Sequence, residues 1–242
     1  MNMKVAYKTD IGKKRTHNED SILVDESMHI FLLADGMGGH QAGEVASDLA
    51  VKESYAWLKE NIDKTRNIGD VSNLLVESLL KAHHTVKARA TTDINLAGMG
   101  TTLIQMFVIA NNAHICHVGD SRAYHLGSEI KRITRDHTSE MYFVKEGIAV
   151  EGVLPVQKMR VLTQAVGGQS TPVPEVKQVK LKPEDILLLC SDGLTDMLSD
   201  EEIESVIQKY RDNLPVTADN LIHEANDKGG IDNISVILIA YE

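Results

Sequence analysis

Ile30-Phe31-Leu32-Leu33-Ala34-Asp35-Gly36-Met37-Gly38-Gly39-His40 joins two kinds of pattern. Its first five residues form an apolar β-type run that ends on an acid beside glycine. From about Gly43 to Ile62, Val45, Ala46, Leu49 and Ala50 share one helical face. Upstream lie two more β-type runs, Lys4 to Thr9 and Ser21 to Asp25. Downstream, Val71, Leu75, Leu79, Ala82, Val86 and Ala90 recur in steps of three and four residues, which predicts a second, amphipathic helix. Thr102 to Ala110 and Ala113 to Val118 read as a hairpin about an Asn111-Asn112 turn, because Asn tolerates positive φ. Arg122 to Leu126 extends the meander, Thr138 to Gly147 reads as a short helix, and Ile186 to Cys190 is a buried strand by composition. Two further helices carry Ile203, Val206, Ile207 and Tyr210, then Ala218, Leu221, Ile222 and Ala225. A last strand runs from Ile234 to Ala240. This order predicts an α+β fold in which antiparallel sheet is covered by helix pairs.

The chain has 242 residues, enough to bury roughly 70% of its unfolded surface. No linker, repeat or low-complexity tract divides it, so residues 1–242 read as a single domain. Lys and Arg total 25 against 35 Asp and Glu, a net charge of −10. So acidic a surface argues against nucleic-acid and anionic-membrane binding, which need a basic face. Aromatic residues, at 4%, leave little for base stacking. Cys116 and Cys190 lie in apolar runs and read as core residues, with no disulfide framework or zinc site. The N-terminal residues show no secretory apolar region. The uncharged stretch from Leu96 to Gly119 contains Gln105, Asn111, Asn112 and two His, so it does not read as a membrane span. These features predict a soluble, cytoplasmic protein.

The acids carry the chemical signal. Asp35 ends one apolar strand beside Gly36, and Asp192 ends another beside Gly193. Asp120 follows Val118-Gly119, and Asp232 stands between Gly229-Gly230 and the final strand. Asp-Gly is ordinary turn chemistry when it occurs once. Four cases, each tied to a core strand, point to something more, because a sheet holds strand-end side chains rigidly and glycine lets a ligand approach. Converging carboxylates repel unless cations lie between them, and oxygen-only ligands favour Mg²⁺ or Mn²⁺ over zinc. Two such ions acidify bound water and steady an in-line displacement at phosphorus. Arg15-Thr16-His17-Asn18-Glu19-Asp20 places a guanidinium and two acids before a strand, and Arg suits a phosphoryl group.

These residues resemble a known family. Arg15 to Asp20, Asp35 to His40, Gly100-Thr101-Thr102, and Val118-Gly119-Asp120-Ser121-Arg122 occur in its order. Asp136-His137, Leu162 to Gly167, Ser191-Asp192-Gly193-Leu194 and Asp232-Asn233-Ile234-Ser235 complete the series. Over residues 5–240 the chain is similar to the metal-dependent Ser/Thr protein phosphatases (PPM, type 2C), in their short bacterial form. The resemblance implies two central antiparallel β-sheets flanked by pairs of antiparallel α-helices, an αββα sandwich with metals at one edge. It makes Asp35 the carboxylate shared by two Mn²⁺ or Mg²⁺ ions and Gly36 a carbonyl ligand, with Asp192 and Asp232 as further ligands. Asp120 with Asp192 resembles a third, weaker metal site, and Glu19 and Asp20 reach the ions directly or through water. Arg15 resembles the family's phosphate-binding arginine. The implied reaction is attack by a metal-bridging water or hydroxide on phosphoserine or phosphothreonine, without a phospho-enzyme. Animal members carry a His after the Asp-Gly as a candidate general acid. Here that position is Met37, which leaves His40, or a metal-bound water, for the role. The segment from about Ser139 to Arg160 resembles the family's variable flap beside the cleft. Phosphorylated proteins are the implied substrates, a Ser/Thr kinase the implied opponent, and a monomer the implied form.

Two rivals follow from the same residues. Gly36-Met37-Gly38-Gly39 follows a strand, yet a dinucleotide fingerprint would need a third glycine where Gln41 stands, and Asp35 would repel a pyrophosphate. A catalytically inactive phosphatase-like module is the other reading, although Asp35, Asp192 and Asp232 are all present. His83 and His84 read as residues of a polar helix face. His114 and His117 have opposite strand parity and cannot pair on a metal.

Overall fold

A computed structural model describes residues 3–38, 42–62, 68–144 and 156–242. Three strands come first: β1 (Met3–Asp10), β2 (Asp20–Asp25) and β3 (Ile30–Met37). Two long helices follow, α1 (Ala42–Asn61) and α2 (Ile68–Thr92). Next are β4 (Gly100–Thr101), β5 (Leu103–Ile109), β6 (Asn112–Val118), β7 (Arg122–Leu126) and β8 (Ile130–Arg132). β9 (Thr138–Val144) and β10 (Val156–Leu162) precede β11 (Glu175–Lys180) and β12 (Ile186–Cys190). The chain closes with α3 (Asp192–Thr195), α4 (Asp200–Tyr210), α5 (Leu214–Asp227) and β13 (Ile234–Tyr241).

One sheet runs β1-β13-β12-β7-β8 and the other β11-β6-β5-β3-β2, with β4 attached to β3. Every strand pair is antiparallel. The apolar runs lack polar alternates because both faces of each sheet are covered. In β3, Ile30, Leu32 and Ala34 pack under α1 and α2, whereas Phe31 and Leu33 face the other sheet. In β12, Ile186, Leu188 and Cys190 pack against α4 and α5, and Leu187 and Leu189 enter the inter-sheet layer. β13 repeats this with Val236 and Leu238 outward and Ile237 and Ile239 inward. Each fully buried Leu or Ile stabilises by about 1.5–3 kcal/mol relative to exposure. The αββα sandwich expected from the resemblance is the observed fold. Gln105, polar within this core, accepts from Ser54 (2.7 Å) and Ser78 (2.9 Å) and donates to the Leu75 carbonyl (2.5 Å), which holds both helices to β5.

Four sequence expectations need correction. The hairpin turn is Ala110-Asn111, with φ of 48° and 62°, and Asn112 already pairs with Ile109 in the ladder. The expected helix at Thr138 to Gly147 is a strand through Val144, paired with β10; residues 145–147 lie outside the described residues. β8 and β11, absent from the sequence reading, lie at sheet edges with exposed Lys131, Arg132 and Lys180. His83 is fully buried, because the loop after β10 covers it and the Gly167 N–H donates to its Nδ1 at 3.1 Å.

Candidate metal centre

The strand ends deliver the expected acids to one edge of the sandwich. Asp20 and Asp35 face each other across the β2–β3 ladder. The Asp35 backbone is clamped: its N–H donates to Thr102 Oγ1 (2.9 Å), and its carbonyl accepts from Thr102 N (2.9 Å) and Thr101 Oγ1 (2.8 Å). Thr102 Oγ1 in turn meets Ser121 Oγ at 2.7 Å, beside Asp120. Asp192 opens α3 directly after β12, and Asp232 stands two residues before β13. Arg15, Glu19, Asp35, Asp120, Asp192 and Asp232 line one cleft of about 1220 Å³. Asp20 lies behind it, buried, with Oδ2 accepting from Ser191 Oγ at 2.8 Å.

The acids crowd one another. Asp35 and Asp192 are close enough for each to perturb the other's protonation. Burial first, then the charges of Asp20, Asp192 and Asp232, hold the Asp35 carboxyl well above the usual carboxylate range. Burial raises Asp192 to about 7, with repulsion from Asp120, Asp196 and Asp232 adding to it. Burial raises Asp20 to about 6 against the opposing hydrogen bonds of Ser235 and Ser191. Asp120 and Glu19 are also raised, chiefly by burial. Asp20 Oδ1 and Asp192 Oδ1 are buried and have no hydrogen-bond partner. Unpartnered, mutually repelling carboxylate oxygens in a buried setting are the donor set of a hard divalent cation site. The residues present therefore fit Mg²⁺ or Mn²⁺.

Glycine makes the close approach possible. A Cβ on Gly36 would lie 2.1 Å from the Gly43 carbonyl oxygen and 2.6 Å from that of Glu19, both backbone. Gly36→Ala is expected to destabilise the fold by about 3 kcal/mol or more, seen as a lower urea midpoint. An unchanged midpoint would show that the β3–α1 junction is looser than this packing.

Arg15 Nη2 lies 2.6 Å from Asp232 Oδ2. At the predicted third-cation position, Arg160 of β10 meets Asp196 (3.1 Å), Asp120 (3.5 Å) and Asp192 (3.9 Å). Asp196 and Arg160 were missed in the sequence. Asp196 carried a signal, since it follows Asp192 by one helical turn; Arg160 carried none. His40 lies outside the described residues. His117 stacks on His137 at 4.8 Å, and with Glu175 their donor atoms fall within 4.8 Å of one another. Their protons are misplaced for a metal. His117 Nε2 lies 2.9 Å from the Arg135 carbonyl, and His137 Nδ1 accepts from Gly119 N–H, so both Nε2 atoms carry hydrogen.

The protein phosphatase 2C profile matches residues 12–224. The chain belongs to the protein phosphatase 2C family. The serine/threonine phosphatase stp of Listeria innocua is 35% identical, over 98% of this chain and 95% of that one. Among solved structures, the Mycobacterium tuberculosis serine/threonine phosphatase PstP/Ppp is 31% identical, with a TM-score of 0.82 and 99% of each chain covered. The catalytic domain of the serine threonine protein phosphatase PstP in complex with two manganese ions is 32% identical, with a TM-score of 0.79 over 98% of this chain and 97% of that one. This phosphatase 2C member thus shares its fold with a relative that holds two Mn²⁺ ions. Among the described residues, no helix is long and apolar enough to cross a membrane.

Proposed function

We infer that this chain is a metal-dependent serine/threonine protein phosphatase that hydrolyses phosphoserine and phosphothreonine in proteins. The observation that carries this reading is the crowding of Asp35 against Asp20, Asp192 and Asp232, with buried carboxylate oxygens left unpartnered. Asp35 would be shared by two ions, with the Gly36 carbonyl, Asp192 and Asp232 as further ligands and Glu19 and Asp20 supporting them. Two divalent cations held there supply Lewis-acid chemistry, acidifying solvent and neutralising phosphoryl charge. Arg15 grips the phosphoryl group through its planar fork, beside Asp232 at the cleft wall. No thiol competes as nucleophile, because burial pushes both Cys116 and Cys190 up to about 12. Asp120 with Asp192 supports a third, weaker cation, which would have to displace the Arg160 guanidinium.

The finer reading is of one catalytic domain over residues 1–242, active as a cytoplasmic monomer with Mn²⁺ or Mg²⁺. It acts in signalling on phosphoproteins, opposes a Ser/Thr kinase, and binds neither nucleic acid nor membrane. Incubation with a phosphothreonine peptide is expected to release phosphate only with Mn²⁺ or Mg²⁺, and EDTA is expected to stop it. A folded, metal-binding protein with no turnover would make it a binding module instead. In cells lacking the protein, a set of phosphoserine or phosphothreonine sites is expected to rise; an unchanged phosphoproteome would remove the kinase-opposing role.

A further inference from the structure

The loop from Ile11 to Glu19 brings Arg15 and Glu19 to the cleft without a helix or strand of its own. One side chain ties both of its ends. Asn233, only 4% exposed, donates from Nδ2 to the Ile11 carbonyl (3.0 Å) and the His17 carbonyl (2.9 Å). Its Oδ1 accepts from the Glu19 N–H at 2.8 Å. Its own N–H donates to Asp232 Oδ1 at 2.8 Å, while Asp232 Oδ2 holds Arg15 Nη2. The loop's middle is tied separately, through Lys13 N (2.7 Å) and Lys14 N (3.1 Å) to the Gly230 carbonyl. Only a carboxamide offers two donors and an acceptor on one short planar group. The isosteric Asp would set a carboxylate against two carbonyl oxygens and leave them without donors.

We propose that Asn233 is a positioning residue for phosphoryl recognition: it fixes the Ile11–Glu19 loop so that the Arg15 guanidinium is held at the cleft. Asn233 lines no part of the cleft itself. The proposal rests on the reading of Arg15 as the phosphoryl grip, and the test separates the two. Asn233→Asp, Arg15→Ala and the double variant are compared at saturating Mn²⁺. The readings are kcat, KM for a phosphothreonine peptide, and the inhibition constant of inorganic phosphate. Asn233→Asp is expected to raise KM and the phosphate constant about tenfold, with a smaller change in kcat. On the Arg15→Ala background the same change is expected to shift either constant less than about twofold, because both substitutions remove one interaction. The Mn²⁺ concentration for half-maximal rate is expected to stay within about twofold. Asn233→Ser, which adds no charge, is expected to show the same non-additivity and serves if the Asp variant does not fold.

A tenfold effect that persists on the Arg15→Ala background would overturn the proposal while leaving Arg15 in place. So would an unchanged phosphate constant, or a large shift in Mn²⁺ requirement. If Arg15→Ala alone changes neither KM nor the phosphate constant, the reading of Arg15 falls, and the proposal falls with it.

Discussion

Asp35→Asn is expected to abolish turnover and to raise the melting temperature of the metal-free protein at pH 8. The two effects have one cause. Asp35 is pressed by burial and by Asp20, Asp192 and Asp232 into holding its proton. A neutral amide of the same shape spares the metal-free fold the cost of either ionising that carboxyl among like charges or keeping it protonated at pH 8. At about 2–4 °C per kcal/mol for a chain of this size, relief of even one or two kcal/mol is measurable by calorimetry. The same change removes the ligand shared between two cations. Lewis-acid stabilisation amounts to several kcal/mol, so phosphate release is expected to fall by more than about 10³-fold. A variant that keeps its activity, or that melts lower without metal, would contradict the crowding of these acids.

Metal-free protein is expected to become more stable as pH falls from 8 to 6.5. Asp192, raised to about 7, and Asp35, held well above its ordinary value by burial and neighbouring acids, bind protons in the folded state that they lose when unfolded. A folded-state pKa above the unfolded value of 3.8 means the native state binds more protons across the gap. Stability is therefore greatest below the gap and is lost as pH rises through about 7. The window stops at 6.5 because burial lowers His83, His114, His117 and His137 from that value. Those histidines stabilise the fold above pH 6.5 and act in the opposite direction below it. One proton corresponds to about 1.4 kcal/mol per pH unit, so the melting temperature is expected to rise several degrees. Saturating Mn²⁺ should flatten this slope, because cations replace the protons, and should raise the melting temperature more at pH 8 than at pH 6.5. A flat profile without metal would show that Asp192 and Asp35 are solvated and apart.

The core strands β1 to β3, β5 to β7, β12 and β13 and both helix pairs were legible because each is covered on a predictable face. Ile30 to Ala34 and Ile186 to Cys190 are apolar without interruption since helices and the second sheet enclose them. The acids were legible through their position at strand ends. What escaped lies where burial is partial or partners are remote. β9 carries exposed Glu140 and Met141 on a hairpin outside both sheets, so no alternation marks it. β11 is an edge strand whose Lys177 pairs with Glu175 at 2.6 Å, a charge pattern that also suits a loop. Arg160 reaches the acids only because that hairpin folds over them. Asn233 could be quoted as part of a motif, but its partners Ile11, His17 and Glu19 lie at the other end of the chain.

A crystal of this chain soaked in Mn²⁺ and measured at the manganese absorption edge tests the central claim directly. Two anomalous peaks are expected between Asp35, Asp192 and Asp232, with the Asp35 carboxylate touching both. Peaks found elsewhere, or none while these three carboxylates point apart, would contradict it.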